Sequence, residues 1–202
     1  MVCLTAVELS QLVERACLGL ASLFEDTGDE RCAAAIACLR SPVQEQCIPA
    51  GECPPLAHAL CEALVAMPTS LRHESLAAVA KTTLWRTGSV EFPTQFVGQS
   101  AVLEIIGPHG LAVTKAVRGG LFLQSRDSYY PPHSHSAEEF YVVLSGNAKW
   151  QKGNDPFQEK LPGALIHHSP GIAHAMQTGK VPLLAAWIWM GEDLSYDSYR
   201  LD

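Results

Sequence analysis

From about residue 98 the chain is a succession of short runs rich in β-branched, aromatic and other apolar residues: AVLEII, LFLQS, EEFYVVLSG, AKWQK, ALIHH and LLAAWIWM. Gly, Pro and Asn separate them, at Gly107-Pro108-His109-Gly110, Ser145-Gly146-Asn147 and Lys152-Gly153-Asn154-Asp155. Runs this short at regular spacing cannot be long helices, and they predict an antiparallel barrel or sandwich. Before about residue 90 the period differs. Val7, Leu9, Leu12, Val13, Ala16, Leu20 and Leu23 recur at helical spacing. Thr5 with Glu8 has the form of a capping box, and Pro42, Pro49, Pro54, Pro55 and Pro68 mark breaks, so three or four helices are expected. The expected architecture is mainly β: an α-helical region over residues 1–90 and a β-barrel over 91–202.

With 48% hydrophobic residues in 202, the chain can bury a sizeable core. Its formal charge of -7 opposes nucleic-acid binding, which needs a basic face. The helical part repeats that sign, with six Lys or Arg against ten Asp or Glu up to residue 90. These helices are therefore expected to pack on the barrel or to supply a homodimer interface. The opening stretch MVCLTAVELSQLVERACLGL has no basic leader, and Leu183–Met190 has the length of a buried strand, not of a membrane span. A cytoplasmic protein with no membrane partner is expected. The seven cysteines, at 3, 17, 32, 38, 47, 53 and 61, are odd in number and form no C-x-x-C pair, which predicts reduced, packing thiols.

The chemistry concentrates in Tyr129–Gly146. Side chains alternate along a strand, so His133 and His135 face one way where the chain is extended, as do Glu139, Tyr141 and Val143. Two imidazoles and a carboxylate can then converge. That donor set suits one divalent transition ion, Zn, Fe, Mn, Co or Ni, which would offset the cost of burying Glu139 as an anion.

His133, His135, Glu139 and Gly146 have the complete spacing of the first cupin motif, which the chain resembles here. Asp127 stands where that motif expects a Gly. Gly163, Pro170, Gly171 and His174 resemble the second motif, with one residue too many between Gly163 and Pro170 and one too few after Pro170. The resemblance implies a cupin (double-stranded β-helix, jelly-roll) barrel whose metal is held by His133, His135, Glu139 and His174. His167 and His168 are rivals for the last place and are otherwise read as strand-surface residues or as supports behind the ligands.

Two tyrosines bracket the ligands. The arrangement Y-Y-P-x-H-x-H-x-x-x-E-x-Y-x-V-L-S-G, after Glu104–Leu111 and a helical N-terminal third, is similar to cupin-type dimethylsulfoniopropionate lyases over roughly residues 93–195. That resemblance implies cleavage of a small zwitterion to dimethyl sulfide and acrylate, by removal of a proton α to the carboxylate. Tyr141 is the expected base, and in relatives the tyrosine at this position can also join the metal. Tyr130 is the alternative base or a substrate contact. Trp187 and Trp189 share a strand face and are either core residues or walls that hold the sulfonium. Two other readings stay open: an iron-dependent dioxygenase acting on a small thiol or diketone, and a non-enzymatic cupin that binds a small effector.

Overall fold

The computed structural model describes residues 6–41, 44–45, 56–82, 84–86, 96 and 98–201. Among these the helices are α1 (Ala6–Glu25), α2 (Ala33–Leu39), α3 (Ala57–Ala66) and α4 (Glu74–Ala80). The strands are β1 (Gln44–Glu45), β2 (Ser100–Gly107), β3 (Ala112–Val113), β4 (Arg118–Gln124), β5 (Tyr129–Ser134) and β6 (Glu138–Ser145). They continue with β7 (Ala148–Lys152), β8 (Gln158–Lys160), β9 (Leu165–His168), β10 (His174–Thr178), β11 (Leu183–Met190) and β12 (Arg200–Leu201). The strands form two sheets, in the orders β1-β3-β2-β4-β11-β6-β9 and β12-β5-β10-β7-β8. Their pairings are antiparallel apart from the parallel β2–β3 contact.

Alternation along the central strands explains the layering. Leu121 and Leu123 of β4, Phe140, Val142 and Leu144 of β6, and Leu184, Ala186 and Ile188 of β11 join one apolar cluster with Leu20, Phe24 and Leu76 of the helices. The intervening Phe122, Tyr141, Val143, Ala185, Trp187 and Trp189 join a second cluster with Trp150 and Met176 of the smaller sheet. The large sheet thus lies between the helices and the small sheet. Burial on both faces is why β11 reads as an unbroken apolar run. A fully buried Leu or Phe contributes ~1.5–3 kcal/mol, so α1, with Val13, Ala16, Leu20 and Phe24 all buried, is held mainly by this packing.

The turns follow the expected residues. Gly146, with φ +80, joins β6 to β7, and a Cβ there would collide with the carbonyl oxygen of Pro182. Asp127 takes φ +51, the left-handed conformation the missing glycine would adopt; Asp is one of the few other residues that visit it. Pro68 lies between α3 and a short 3-10 turn at Thr69–Leu71. Thr5, Pro42, Pro49, Pro54, Pro55, Cys3, Cys47 and Cys53 lie outside the described residues. Cys17, Cys32, Cys38 and Cys61 are free thiols. Burial pushes the Cys17 thiol up to about 12 and that of Cys32 to about 11, so neither supplies a reactive thiolate at neutral pH. Among the described residues no helix is long and apolar enough to cross a membrane.

Candidate active site

Glu139 and Tyr141 stand on β6 directly opposite Trp189 and Trp187 on β11. Opposed residues of an antiparallel ladder share a face, so all four side chains project between the sheets. His133 and His174 face each other across β5 and β10. His135 follows β5, and its carbonyl accepts from the Gly171 N–H at 2.8 Å. The Pro170-Gly171 turn is thereby tied to the first motif, which brings His174 into place despite the irregular spacing.

His135, Glu139 and His174, all buried, have ligand atoms within 4.8 Å of one another, a group able to hold one metal ion. Nδ1 of His135 contacts the Ala137 carbonyl at 3.0 Å, and Nδ1 of His174 that of Ile172 at 2.9 Å. A carbonyl only accepts, so both rings donate there, and in the neutral ring Nε2 carries a lone pair. Those Nε2 atoms are buried without a hydrogen-bond partner, 3.4 and 3.1 Å from Oε2 of Glu139. Two lone pairs aimed at a buried carboxylate need a positive charge between them, so this donor set fits a divalent ion.

His133 stands outside that group. Its Nδ1 contacts the Pro131 carbonyl at 2.9 Å, its ring stacks on Tyr130 with centroids 4.0 Å apart, and it meets His174 edge-on at 4.1 Å. It lines the cavity beside Glu139. The rivals part company by strand alternation. His167 turns to the helical side, where Glu138 (2.8 Å) and Arg31 (2.8 Å) hold it. His168 points inward and donates from Nδ1 to Oε2 of Glu139 at 3.0 Å, a buried support behind the donor group. Trp189 donates its indole N–H to Oε1 at 2.5 Å.

Burial alone would raise the Glu139 carboxyl, but positive charge or N–H donation from the imidazoles of His135, His168 and His174 outweighs it and holds the group well below the usual range, the direction in which a bound cation would also act. Burial pushes the Tyr141 phenol well above 10, and the Glu139 charge adds to this. Tyr130 is raised likewise, by burial and then by Tyr199. Tyr130, Tyr141, Trp187 and Trp189 all line the cavity, together with Phe122, Tyr196 and Tyr199. Sequence reasoning missed Phe122, Tyr196 and Tyr199. A tyrosine-bearing tail shortly after an apolar run is weak grounds for a site residue.

Residues 29–185 match the dimethylsulfoniopropionate lyase family. The chain belongs to that family. It is 32% identical over 121 residues to DddL of Cereibacter sphaeroides, covering 59% of this chain and 50% of that one. It is 30% identical over 115 residues to the dimethylsulfoniopropionate lyase DddQ of Ruegeria pomeroyi, covering 57% of each. The chain thus spans about half the length of these curated relatives. A solved structure from work on the lyases RdDddP and RnDddQII superposes with a TM-score of 0.71 at 25% identity, covering 94% of this chain and 99% of the other. The structure of Ruegeria pomeroyi DddQ gives 0.68 at 22% identity, over 91% and 95% of the two chains, and shares the family's fold.

Proposed function

We propose that this protein is a metal-dependent lyase that cleaves dimethylsulfoniopropionate to dimethyl sulfide and acrylate. One observation carries the reading: Glu139 and Tyr141 project from one face of β6 into an aromatic cavity, and the same Glu139 carboxylate belongs to the donor group of His135 and His174. In this reading residues 91–202 form the cupin barrel, and residues 1–90 cover it.

His135, Glu139 and His174 would hold the ion, Zn, Fe, Mn, Co or Ni, with His133 as their neighbour. When bound, such an ion supplies Lewis-acid stabilisation of the negative charge that develops next to the substrate carboxylate. Tyr141 takes the α-proton. The C–H electron pair becomes the new C=C bond, and the Cβ–S pair leaves with sulfur, turning the sulfonium into neutral dimethyl sulfide. Tyr141 is raised by burial and by Glu139, so it becomes a competent base only where nearby positive charge offsets both. Tyr130 would contact the substrate carboxylate. Trp187 offers a π-face to the sulfonium, whereas the Tyr196 ring is already met by the Arg118 guanidinium, 4.0 Å from its centroid and paired with Glu104 at 2.7 Å. Trp189, committed to Glu139, holds the carboxylate instead of the substrate.

The test is anaerobic incubation of metal-loaded protein with dimethylsulfoniopropionate. Equal amounts of dimethyl sulfide and acrylate are expected without oxygen, and Tyr141→Phe should cost at least ~10²-fold in kcat. A reaction that consumes oxygen would favour the dioxygenase, and near wild-type turnover by Tyr141→Phe would remove Tyr141 from the mechanism.

A further inference from the structure

The segment after β11 returns across the cavity and is fastened to the elements that carry the site. The Ser136 hydroxyl donates to the Asp193 carbonyl at 3.1 Å, and the Ser136 N–H to Ser198 Oγ at 3.1 Å. Arg118 donates to the Leu194 carbonyl at 2.9 Å, and its guanidinium lies 4.0 Å from the centroid of the Tyr196 ring. β12 then pairs with β5, Leu201 opposite His133 and Arg200 opposite Ser134. These anchors set Tyr199 at the cavity, where its hydroxyl lies 3.0 Å from that of Tyr130 and its ring 5.3 Å from that of His133.

We propose that Tyr199 is a positioning residue that fixes the hydroxyl of Tyr130 for the substrate carboxylate, an inference that rests on the lyase reading. The stack of Phe96 (4.2 Å) and His133 (4.0 Å) on the Tyr130 ring sets the plane of the ring, and the contact with Tyr199 acts on the direction of its O–H. A phenol has one proton and two lone pairs. When the Tyr130 proton goes to a carboxylate, Tyr199 becomes the donor to Tyr130. Each bond of that two-phenol chain strengthens the other. The anchors at Ser136, Arg118 and β12 do not use the Tyr199 hydroxyl, so Tyr199→Phe removes the positioning bond and leaves the segment in place.

The test is a double-mutant cycle on full-length metal-loaded protein: wild type, Tyr130→Phe, Tyr199→Phe and the double variant. The probe is 3-(trimethylammonio)propionate, whose ammonium carries no sulfur leaving group, followed by calorimetry, alongside kcat and KM for dimethylsulfoniopropionate. Tyr199→Phe should weaken probe binding roughly three- to tenfold, the scale of one hydrogen bond, and the double variant should bind no more weakly than Tyr130→Phe alone. Full binding by Tyr199→Phe, additive losses, or a wild type that fails to bind the probe would each overturn the proposal. A wild type that binds the probe with this coupling yet releases no dimethyl sulfide would sink the lyase reading and leave the positioning role standing. Normal release with additive losses would do the reverse.

Discussion

Trp189 donates its indole N–H to Oε1 of Glu139 over 2.5 Å from the position directly opposite it on the neighbouring strand. With His168 on Oε2, this leaves both carboxylate oxygens fixed from behind the donor group. Trp189→Phe keeps an aromatic ring and deletes the donor. A hydrogen bond to a charged group contributes ~1.5–3 kcal/mol, and loss of a support behind a metal ligand costs ~10–100-fold in affinity. Denaturant unfolding and metal titration should both register the change; unchanged values in both would show that the bond does not hold the site.

Among the four histidine and glutamate residues of the motifs, only His135, Glu139 and His174 have donor atoms that converge. Elemental analysis should find His135→Ala and His174→Ala free of metal, while His133→Ala retains one ion per chain with reduced turnover. Loss of metal from His133→Ala equal to that from His135→Ala would restore it as a ligand.

Arg118 and Glu104 form an ion pair with side chains only 1% and 4% exposed. Removing the cation leaves a buried carboxylate with only the His109 N–H, at 3.2 Å, among its named partners. Arg118→Met should therefore destabilise the fold by ~3–5 kcal/mol in chemical denaturation, and a further Glu104→Gln change should recover part of it. A loss below ~1 kcal/mol would mean that the pair is dispensable.

Burial, and then His174, push His168 down to about 4. Unfolded, it would titrate near 6.5, so between those values the unfolded chain binds a proton that the folded chain refuses. The stability tied to neutral His168 is complete above about 6.5 and is lost as pH falls toward about 4. Glu139, held low, acts in the same direction. Thermal midpoints should drop between pH 7 and 4.5, and less steeply in His168→Asn. A flat profile would contradict the assignment.

The long strands were legible because both of their faces are buried, which writes an apolar run into β4, β6 and β11. β5 was not, because Pro131 and Pro132 break its β-character; the structure places them at the irregularity in its pairing with β10, where no ladder donor is required. β10, as His-Ala-Met-Gln-Thr, is too short and polar to stand out. The grouping of His135 with Glu139 was legible from the spacing of the first motif, whereas the irregular spacing of the second left His167 and His168 as rivals of His174. The His168 bond to Glu139 and the contact of Tyr199 with Tyr130 join residues 29 and 69 positions apart in sequence, which no local pattern records.

In the proposed mechanism elimination requires an ion held by His135, Glu139 and His174. The most direct measurement follows headspace dimethyl sulfide while chelated protein is titrated with a divalent transition metal and the bound ion is counted. Release should be absent from the chelated protein, rise in proportion to bound metal and saturate at one ion per chain. Full release of dimethyl sulfide from metal-free protein would contradict the account.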